Sequence, residues 1–291
     1  GGFVVRDAGG RVKVAAPTGV AGVAMPEMFQ KIGTAADTAQ YWYCTSKDKG
    51  WPGAWDPGTP GVNGRNPDGT TTTDRGCIPF VNAASGLAKY LSRVDLSQNV
   101  ANHFNMFFDV LWVNSGLDPT QTTAQAIASG TLPARDADGT TNGRGCYIAL
   151  LTTTANTNVA AINNATVEYT NSDNVNSRTA TLANVAGFQI PASPVIGTIV
   201  FFQLQAGDIG VRSIQGITLN TSLGGGAVSL MIVRPLVQWN PGAANTPNAW
   251  LPSVVGAPGV RLYNGTCILH CYQASGTTAT AFIGKLVFTE Q

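Results

Sequence analysis

Short apolar segments bounded by turn residues run through most of this chain, and this pattern constrains its fold most strongly. The apolar residues alternate with polar ones or form runs of strand length, separated by Gly, Asn, Asp and Pro. Val228, Leu230 and Ile232, for example, would share one face of a strand. Two runs, 104–113 and 198–204, are apolar on both faces and predict buried strands. The sequence therefore predicts an all-β protein, an antiparallel β-sandwich of the jelly-roll kind.

Helix signals are confined to two short segments. Residues 26–32 carry a proline at the first helical position, and residues 119–129 are rich in alanine, threonine and glutamine. We therefore expect under about a sixth of the residues to be helical, against the ~30–35% of an average domain.

The last predicted strand is apolar on both faces. Phe282, Leu286 and Phe288 share one face, and Ile283 and Val287 lie on the other. Such a strand is expected to lie in the centre of a sheet or at an interface.

The domain organisation is predicted to be simple. Residues 1–40, rich in Gly, Ala and Val at their start, are expected to form an extended N-terminal arm, and residues 41–291 one β-sandwich domain. Two long loops rich in Pro, Gly and Trp interrupt that domain, at 44–76 and 239–258. Loops of this length are usually functional or become ordered against a neighbour.

Four tryptophans in these loops are candidate interface residues: Trp51 and Trp55 in the first loop, and Trp239 and Trp250 in the second. An indole on a loop is costly to leave in water, and aromatic side chains dominate the energetics of interfaces. The alternative, that each loop packs on its own domain, stays open.

The surface is expected to be polar but nearly uncharged. Only 11% of the residues are charged, and 17 basic and 16 acidic residues give a net charge of +1. A basic stripe typical of nucleic-acid binders is absent, and no run approaches the ~20 apolar residues of a transmembrane helix. We expect no nucleic-acid and no membrane partner. Low charge also gives little repulsion between copies, which suits a subunit partly buried in an assembly.

The five cysteines, Cys44, Cys77, Cys146, Cys267 and Cys271, are expected to be unpaired and reduced. Their number is odd and no CxxC motif occurs. Cys267 and Cys271 on one strand would lie about 13 Å apart, which is too far for a disulfide.

No pattern of residues predicts catalysis. The chain has two histidines, His103 and His270, and no GxSxG motif. Within 267–271, His270 would point away from the face that carries the two cysteines, so a tetrahedral metal site is not expected. We expect no catalytic residue, no cofactor and no metal ion, and therefore a protein that is not an enzyme.

Three carboxylates are assigned structural roles. Asp109, inside an apolar run, is expected to bond to the backbone or to an arginine within the sheet. Asp138 is expected to close a type I turn. Asp208 is expected to cap the turn at 205–210 or to pair with Arg212.

Segments between residues 104 and 236 resemble a group of tailed-bacteriophage virion proteins. They are FFDVLWVNSGL (107–117), TTAQ (122–125), LPARDADGTTNGRG (132–145), VEYTNS (167–172), SRTAT (177–181), FQLQAGDIGVRSIQGITL (202–219) and SLMIVRPL (229–236). Their order and spacing carry the resemblance across nearly half of the chain. They are structural signatures and include no active-site motif.

The resemblance implies a virion structural protein, namely a capsid decoration, cement or other head-associated subunit that stabilises the particle. A neck or tail location, or a lectin-like module of a phage appendage that binds glycans, are the alternatives. The implied partners are further copies of the chain, in a trimer by analogy with jelly-roll proteins, and the major capsid or other virion proteins. The implied location is the virion, assembled in the cytoplasm of a bacterial host.

Overall fold

The computed structural model describes residues 4–6, 12–14, 25–33, 37–58, 64–252 and 259–291. Their regular structure is almost entirely strand, with two single-turn 3-10 helices at Thr45–Lys47 and Thr72–Asp74. All strand pairings in these ranges are antiparallel. The prediction of an all-β, antiparallel protein is therefore confirmed. No helix in the described part of the chain is long and apolar enough to span a membrane.

The strands are numbered along the chain. They are β1 (Val4–Arg6), β2 (Val12–Val14), β3 (Met25–Ile32), β4 (Trp42–Cys44), β5 (Lys49–Trp51), β6 (Lys89–Gln98), β7 (Phe104–Asn114), β8 (Gln125–Ala126), β9 (Tyr147–Thr154), β10 (Thr166–Asn171), β11 (Arg178–Thr181), β12 (Thr198–Phe201), β13 (Val211–Thr218), β14 (Ala227–Trp239), β15 (Asn248–Trp250), β16 (Val260–Leu262), β17 (Ile268–Gln273) and β18 (Ala281–Glu290).

Six strands close a barrel in the order β12-β4-β17-β7-β14-β9. The long strands β7 and β14 form its longest pairing, from Asn114 opposite Leu230 to Asn105 opposite Trp239. Inward-facing side chains such as Phe108 fill the interior with an apolar cluster. Closure pairs the strand edges within the barrel, which removes most of the open backbone that an isolated sheet would expose.

Two open sheets cover the barrel on its outside. The four-stranded sheet has the order β11-β10-β13-β8, and the six-stranded sheet has the order β15-β6-β18-β3-β5, with β16 also paired to β6. Leu111 and Ile148 of the barrel pack in one buried cluster with Val167 of the smaller sheet. Phe107 packs in another with Phe282 of the larger sheet. The core is therefore layered as sheet, barrel, sheet, and each fully buried large apolar side chain contributes about 1.5–3 kcal/mol.

Several predicted strands are confirmed. The run 104–113 is β7, the hairpin around 171–177 is formed by β10 and β11, and the predicted apolar face of Val228, Leu230 and Ile232 on β14 is buried against the smaller sheet. The last strand, β18, pairs with β6 on one side and β3 on the other, so it lies inside its sheet as expected.

Both helix predictions are wrong. Residues 26–32 belong to β3, which pairs with β18 along its whole length. Residues 119–129 form turns and the two-residue strand β8. In both places pairing with a strand distant in sequence outweighs the local preference for a helix.

The predicted arm, 1–40, contains the β1–β2 hairpin and β3. Of this arm, residues 1–3, 7–11, 15–24 and 34–36 lie outside the described residues, as do 59–63 of the first long loop and 253–258 of the second. The described part of the first loop contains β5, and that of the second contains β15.

The prediction that all cysteines are unpaired is wrong, because Cys77 and Cys267 form a disulfide. These residues are 190 positions apart, so their spacing carried no signal. The backbone brings them together: Ile78 N–H donates to Ile268 C=O at 2.9 Å in an antiparallel bridge beside them. Cys44, Cys146 and Cys271 are free and buried.

Thiol titration tests this pairing. Denatured protein that has not been reduced is expected to give three thiols, from Cys44, Cys146 and Cys271, and five after reduction. Cys77→Ser should give four without reductant, because Cys267 loses its partner. Five thiols from unreduced wild-type protein would contradict the disulfide.

The structural roles of the carboxylates are partly as predicted. Asp109 accepts from Cys267 N–H at 2.8 Å and forms an ion pair with Arg135 at 3.3 Å, so its prediction is confirmed. Asp208 pairs with Arg178 through two bonds of 2.9 Å, so the pairing with Arg212 is wrong. The reason is topological, since Arg178 begins the strand that returns beside this turn.

The turn at 136–144 also differs from its prediction, because Asp136 and not Asp138 closes it. The carboxylate of Asp136 accepts from the backbone N–H groups of Asp138, Thr140 and Arg144, at 2.6 to 3.1 Å. These bonds lower the pKa of Asp136 although its burial raises it. Asp138 forms an exposed ion pair with Arg144 instead.

Candidate functional site

A buried polar cluster lies between the barrel and the larger sheet. His103 donates from Nε2 to Thr280 Oγ1 at 2.8 Å, and that hydroxyl donates to Asp37 Oδ2 at 2.9 Å. Asp37 Oδ1 accepts from the Tyr272 hydroxyl at 2.9 Å, and His103 Nδ1 accepts from Ser275 N–H at 2.9 Å. This Asp–Thr–His relay differs from a catalytic triad, in which the imidazole accepts the proton of the hydroxyl, because here His103 donates to the hydroxyl of Thr280.

The relay is sealed from solvent. Burial lowers the pKa of His103 to about 4 and raises the pKa values of Asp37 and Tyr272. His103 and Thr280 are at most 1% exposed. The cluster therefore holds neutral or hydrogen-bonded groups where no substrate reaches them.

The second histidine lies beside the first. His270 Nε2 donates to Asn105 Oδ1 at 2.9 Å, while Thr45 Oγ1 lies 3.3 Å from Nδ1. Burial, followed by the nearby charges of Lys31 and His103, lowers the pKa of His270 to about 3. Both histidines are thus uncharged at neutral pH, and sequence reasoning could not show that they share one buried layer.

One group in the described part of the chain has the spacing of metal ligands: Asp74, Cys77 and Cys267. It does not fit a metal ion, because the two sulfurs are bonded to each other. The carboxylate of Asp74 is also fully engaged. It accepts from Trp55 Nε1 at 2.8 Å, from two nitrogens of Arg65 at 2.7 and 2.9 Å, and from a backbone N–H.

The free thiols are poor nucleophiles. Burial raises the pKa of Cys44 to about 11, and it also raises the pKa values of Cys146 and Cys271. Thiolates, which are the reactive form, are therefore scarce at neutral pH.

The four candidate tryptophans are in three different environments. Trp51 is 62% exposed at the end of β5. Trp55 is fully buried, with its indole N–H bonded to Asp74, so it packs inside its own chain, contrary to its assignment as a contact residue. The ring of Trp55 packs in the apolar cluster of the barrel and Asp74 accepts its indole N–H, so this side chain needs no partner protein.

Trp239 and Trp250 are half-buried against the core beneath the larger sheet. Trp239 stacks on Phe107 with ring centroids 5.8 Å apart, and its indole N–H has no acceptor in the described part of the chain.

Trp51 belongs to an apolar surface that the sequence did not reveal as a unit. In the larger sheet Gln30 lies opposite both Trp51 and Ile283, so these three side chains stand in one row on one face. Met28 and Ile32 of β3 stand on the same face. Met28, Ile32, Trp51 and Ile283 are 49–62% exposed. We call these four residues the outer sheet surface.

Beside Trp51 lies a recess of about 560 Å³. Its rim includes the hydroxyl-bearing segment Thr70–Thr72 and the guanidinium of Arg75. An exposed indole next to hydroxyl groups offers both a stacking surface and hydrogen bonds.

Comparisons with known proteins give little guidance. No family model and no curated protein matches the chain. Solved structures that align with it include particles of infectious bursal disease virus. The VP2 subviral particle is 10% identical with a TM-score of 0.21, covering 96% of this chain and 82% of that one. The Gx strain structure is 12% identical with a TM-score of 0.20, covering 95% and 83%. At TM-scores this low the alignments indicate neither the fold nor the function of this chain.

Proposed function

We propose that this chain is a non-enzymatic structural protein of a virion, a capsid decoration or other head-associated subunit. The resemblance of residues 104–236 to tailed-bacteriophage virion proteins supports the virion role. That region supplies most strands of the barrel and all of the smaller sheet. A jelly-roll relationship, a closed homo-oligomer such as a trimer, contacts with the major capsid protein and assembly in a bacterial cytoplasm belong to the same proposal. A neck or tail position is its variant.

The outer sheet surface is the observation that carries the proposal. Four large apolar side chains on the adjacent strands β5, β3 and β18 face solvent, although the chain has ample polar residues. Exposed apolar side chains clustered in this way, here around Gln30, usually mark a contact site. The rim of the outer sheet surface carries Asp95, which pairs with Arg93 at 2.6 Å and with Lys285 at 3.3 Å, and Lys49, which lies opposite Ile32. An apolar surface with a polar rim of this kind favours association with another protein surface.

The non-enzymatic part of the proposal is supported by the state of the reactive groups. His103, His270 and the free thiols are buried and held in their uncharged forms. The buried carboxylate Asp109 and arginines such as Arg135 bond mainly to backbone groups, which is a structural use.

Substitution in the outer sheet surface tests the proposal. Trp51→Ser and Ile283→Ser are expected to weaken self-association by at least about ten-fold, because buried aromatic and aliphatic anchors dominate interface energetics. Sedimentation velocity over a concentration series measures the effect. Val159→Ser is the matched control, since Val159 is 95% exposed and outside this surface. Wild-type protein that stays monomeric at high concentration and does not attach to particles would refute the assembly role.

Glycan binding is a second candidate, favoured by the recess beside Trp51. Thr72 is exposed there, and Thr72→Val removes a hydroxyl without touching the outer sheet surface. If the chain is a lectin-like module, both Trp51→Ser and Thr72→Val should abolish binding to cell-surface polysaccharide. If it is an assembly subunit, Thr72→Val should leave self-association unchanged.

A further inference from the structure

A second surface, on the barrel, lies where β9 ends before its neighbour does. β9 pairs with β14 from Ala227 to Val233, and its first residue, Tyr147, lies opposite Val233. β14 continues to Trp239, paired with β7 alone. Along residues 234–238 no described strand occupies the side that β9 covers earlier. A recess of about 520 Å³ follows this open edge.

Two arginines without a counter-ion line this recess, Arg234 and Arg261. Arg234 is only 4% exposed, and its guanidinium donates to the backbone carbonyls of Asp136 and Arg261, at 3.3 and 3.1 Å. Neither arginine forms an ion pair with a described acidic residue. Asp109 acts on Arg234 from a distance but is paired with Arg135.

The arginines lie against one aromatic ring. The guanidinium carbons of Arg234 and Arg261 are 5.2 and 5.5 Å from the ring centroid of Tyr263. Arg234 Nε and one terminal nitrogen of Arg261 have no hydrogen-bond partner in the described part of the chain. Burying cations without a counter-charge is costly, and an oxyanion in the recess would offset that cost.

An apolar cavity opens beside the arginines. It has a volume of about 220 Å³ and is lined by aromatic side chains at the mouth of the barrel, including Trp42, Phe104, Phe188 and Phe201. The cavity and the arginine recess share Tyr147, Pro235 and Gln238 in their walls. They therefore form one groove with an apolar end and a cationic end.

We infer that this groove binds an extended polypeptide segment of a partner protein that carries a large apolar side chain next to acidic ones. The aromatic mouth fits the apolar side chain, and the arginines, each with one unpartnered nitrogen, complement the carboxylates as charged donors. The groove runs along an open strand edge, where an extended segment can add main-chain hydrogen bonds. This site is separate from the outer sheet surface and does not depend on it.

Three capped hexapeptides test the inference on the full chain: Gly-Phe-Glu-Glu-Phe-Gly, its Gln analogue and its Ala-for-Phe analogue. We expect the first to bind at millimolar concentration or tighter and to shift the amide resonances of Tyr147, Phe188 and Arg261. Each analogue should bind about ten-fold more weakly, the scale of one lost charge-assisted bond or one apolar anchor. Equal binding of all three peptides, or no binding, would overturn the inference.

Variants locate the binding and separate it from a simple ion effect. Arg261→Gln should weaken the first peptide about ten-fold. Arg212→Gln should leave it unchanged, because Arg212 is a half-buried arginine on the smaller sheet that forms no ion pair with a described acidic residue. Sodium phosphate is added alone as a competitor. Displacement of the peptide by phosphate at equal concentration would also overturn the assignment to a peptide segment. An equal loss of affinity for the peptide in both variants would do the same.

Discussion

Replacing Arg135 with methionine is expected to lower the free energy of unfolding by about 3–5 kcal/mol, the scale for removing one partner of a buried ion pair. Arg135 is 3% exposed and Asp109, its partner at 3.3 Å, is fully buried. The guanidinium also donates to the carbonyls of Pro67 at 2.9 Å, Val110 at 2.7 Å and Gly265. Its loss would leave a buried carboxylate without its counter-ion and three carbonyls without the guanidinium that donates to them.

Chemical denaturation of Arg135→Met beside Arg144→Met measures this effect. Arg144 pairs with Asp138 at 3.0 Å on the surface, so its loss should cost no more than about 1 kcal/mol. A double variant, Asp109→Leu with Arg135→Met, should recover part of the stability, since it removes the orphaned charge. If Arg135→Met lowers the free energy of unfolding as little as Arg144→Met does, the Asp109–Arg135 ion pair does not stabilise the contact between the loops and the barrel.

The ion pair between Asp109 and Arg135 also shows how far the sequence could predict this fold. An aspartate inside an apolar run predicts a buried, bonded carboxylate, and Asp109 is one. Its partner could not be predicted, because Arg135 lies in a turn-rich segment whose contact with β7 is set by the tertiary fold and not by local periodicity. The periodicity of apolar residues identifies the strands. Which side chains meet depends on the pairing between strands that are distant in the sequence.

The candidate surfaces follow the same rule. Trp51, Trp55, Trp239 and Trp250 look alike as loop tryptophans in the sequence, yet only Trp51 is exposed. What separates them is the presence of a local acceptor or apolar wall, such as Asp74 for the indole of Trp55. The outer sheet surface joins β3, β5 and β18, which only the sheet order brings together. The groove on the barrel arises from unequal strand lengths, which periodicity does not encode.

Acid is expected to destabilise the fold through its two buried histidines. The pKa of His270 falls from 6.5 in the unfolded chain to about 3 when folded, because of burial and then the nearby Lys31 and His103. The pKa of His103 falls from 6.5 to about 4 through burial. A lowered histidine pKa means that the unfolded state binds protons first as pH decreases. The contribution of these two histidines to the stability of the fold is therefore complete above pH 6.5 and is lost as the pH falls below that value.

The size of the histidine effect follows from this shift. At pH 5 the unfolded chain has gained a proton at His270 that the folded chain has not, which costs about 2 kcal/mol relative to neutral pH. Asp48 acts in the opposite direction, because burial raises its pKa from 3.8 to about 7, so its protonation stabilises the fold in the same window. The wild-type curve alone would therefore mix the two contributions.

Comparing variants isolates the histidine contribution. The difference in unfolding free energy between wild type and His270→Gln is expected to shrink by about 2 kcal/mol between pH 7.5 and pH 5, since only the wild type has this histidine to protonate. Ser229→Ala is the control, because Ser229 is buried and does not titrate, so its difference from wild type should not change with pH. His103→Gln should repeat the pattern if His270→Gln folds poorly. A pH-independent difference for both histidine variants would show that neither histidine is buried in its neutral form.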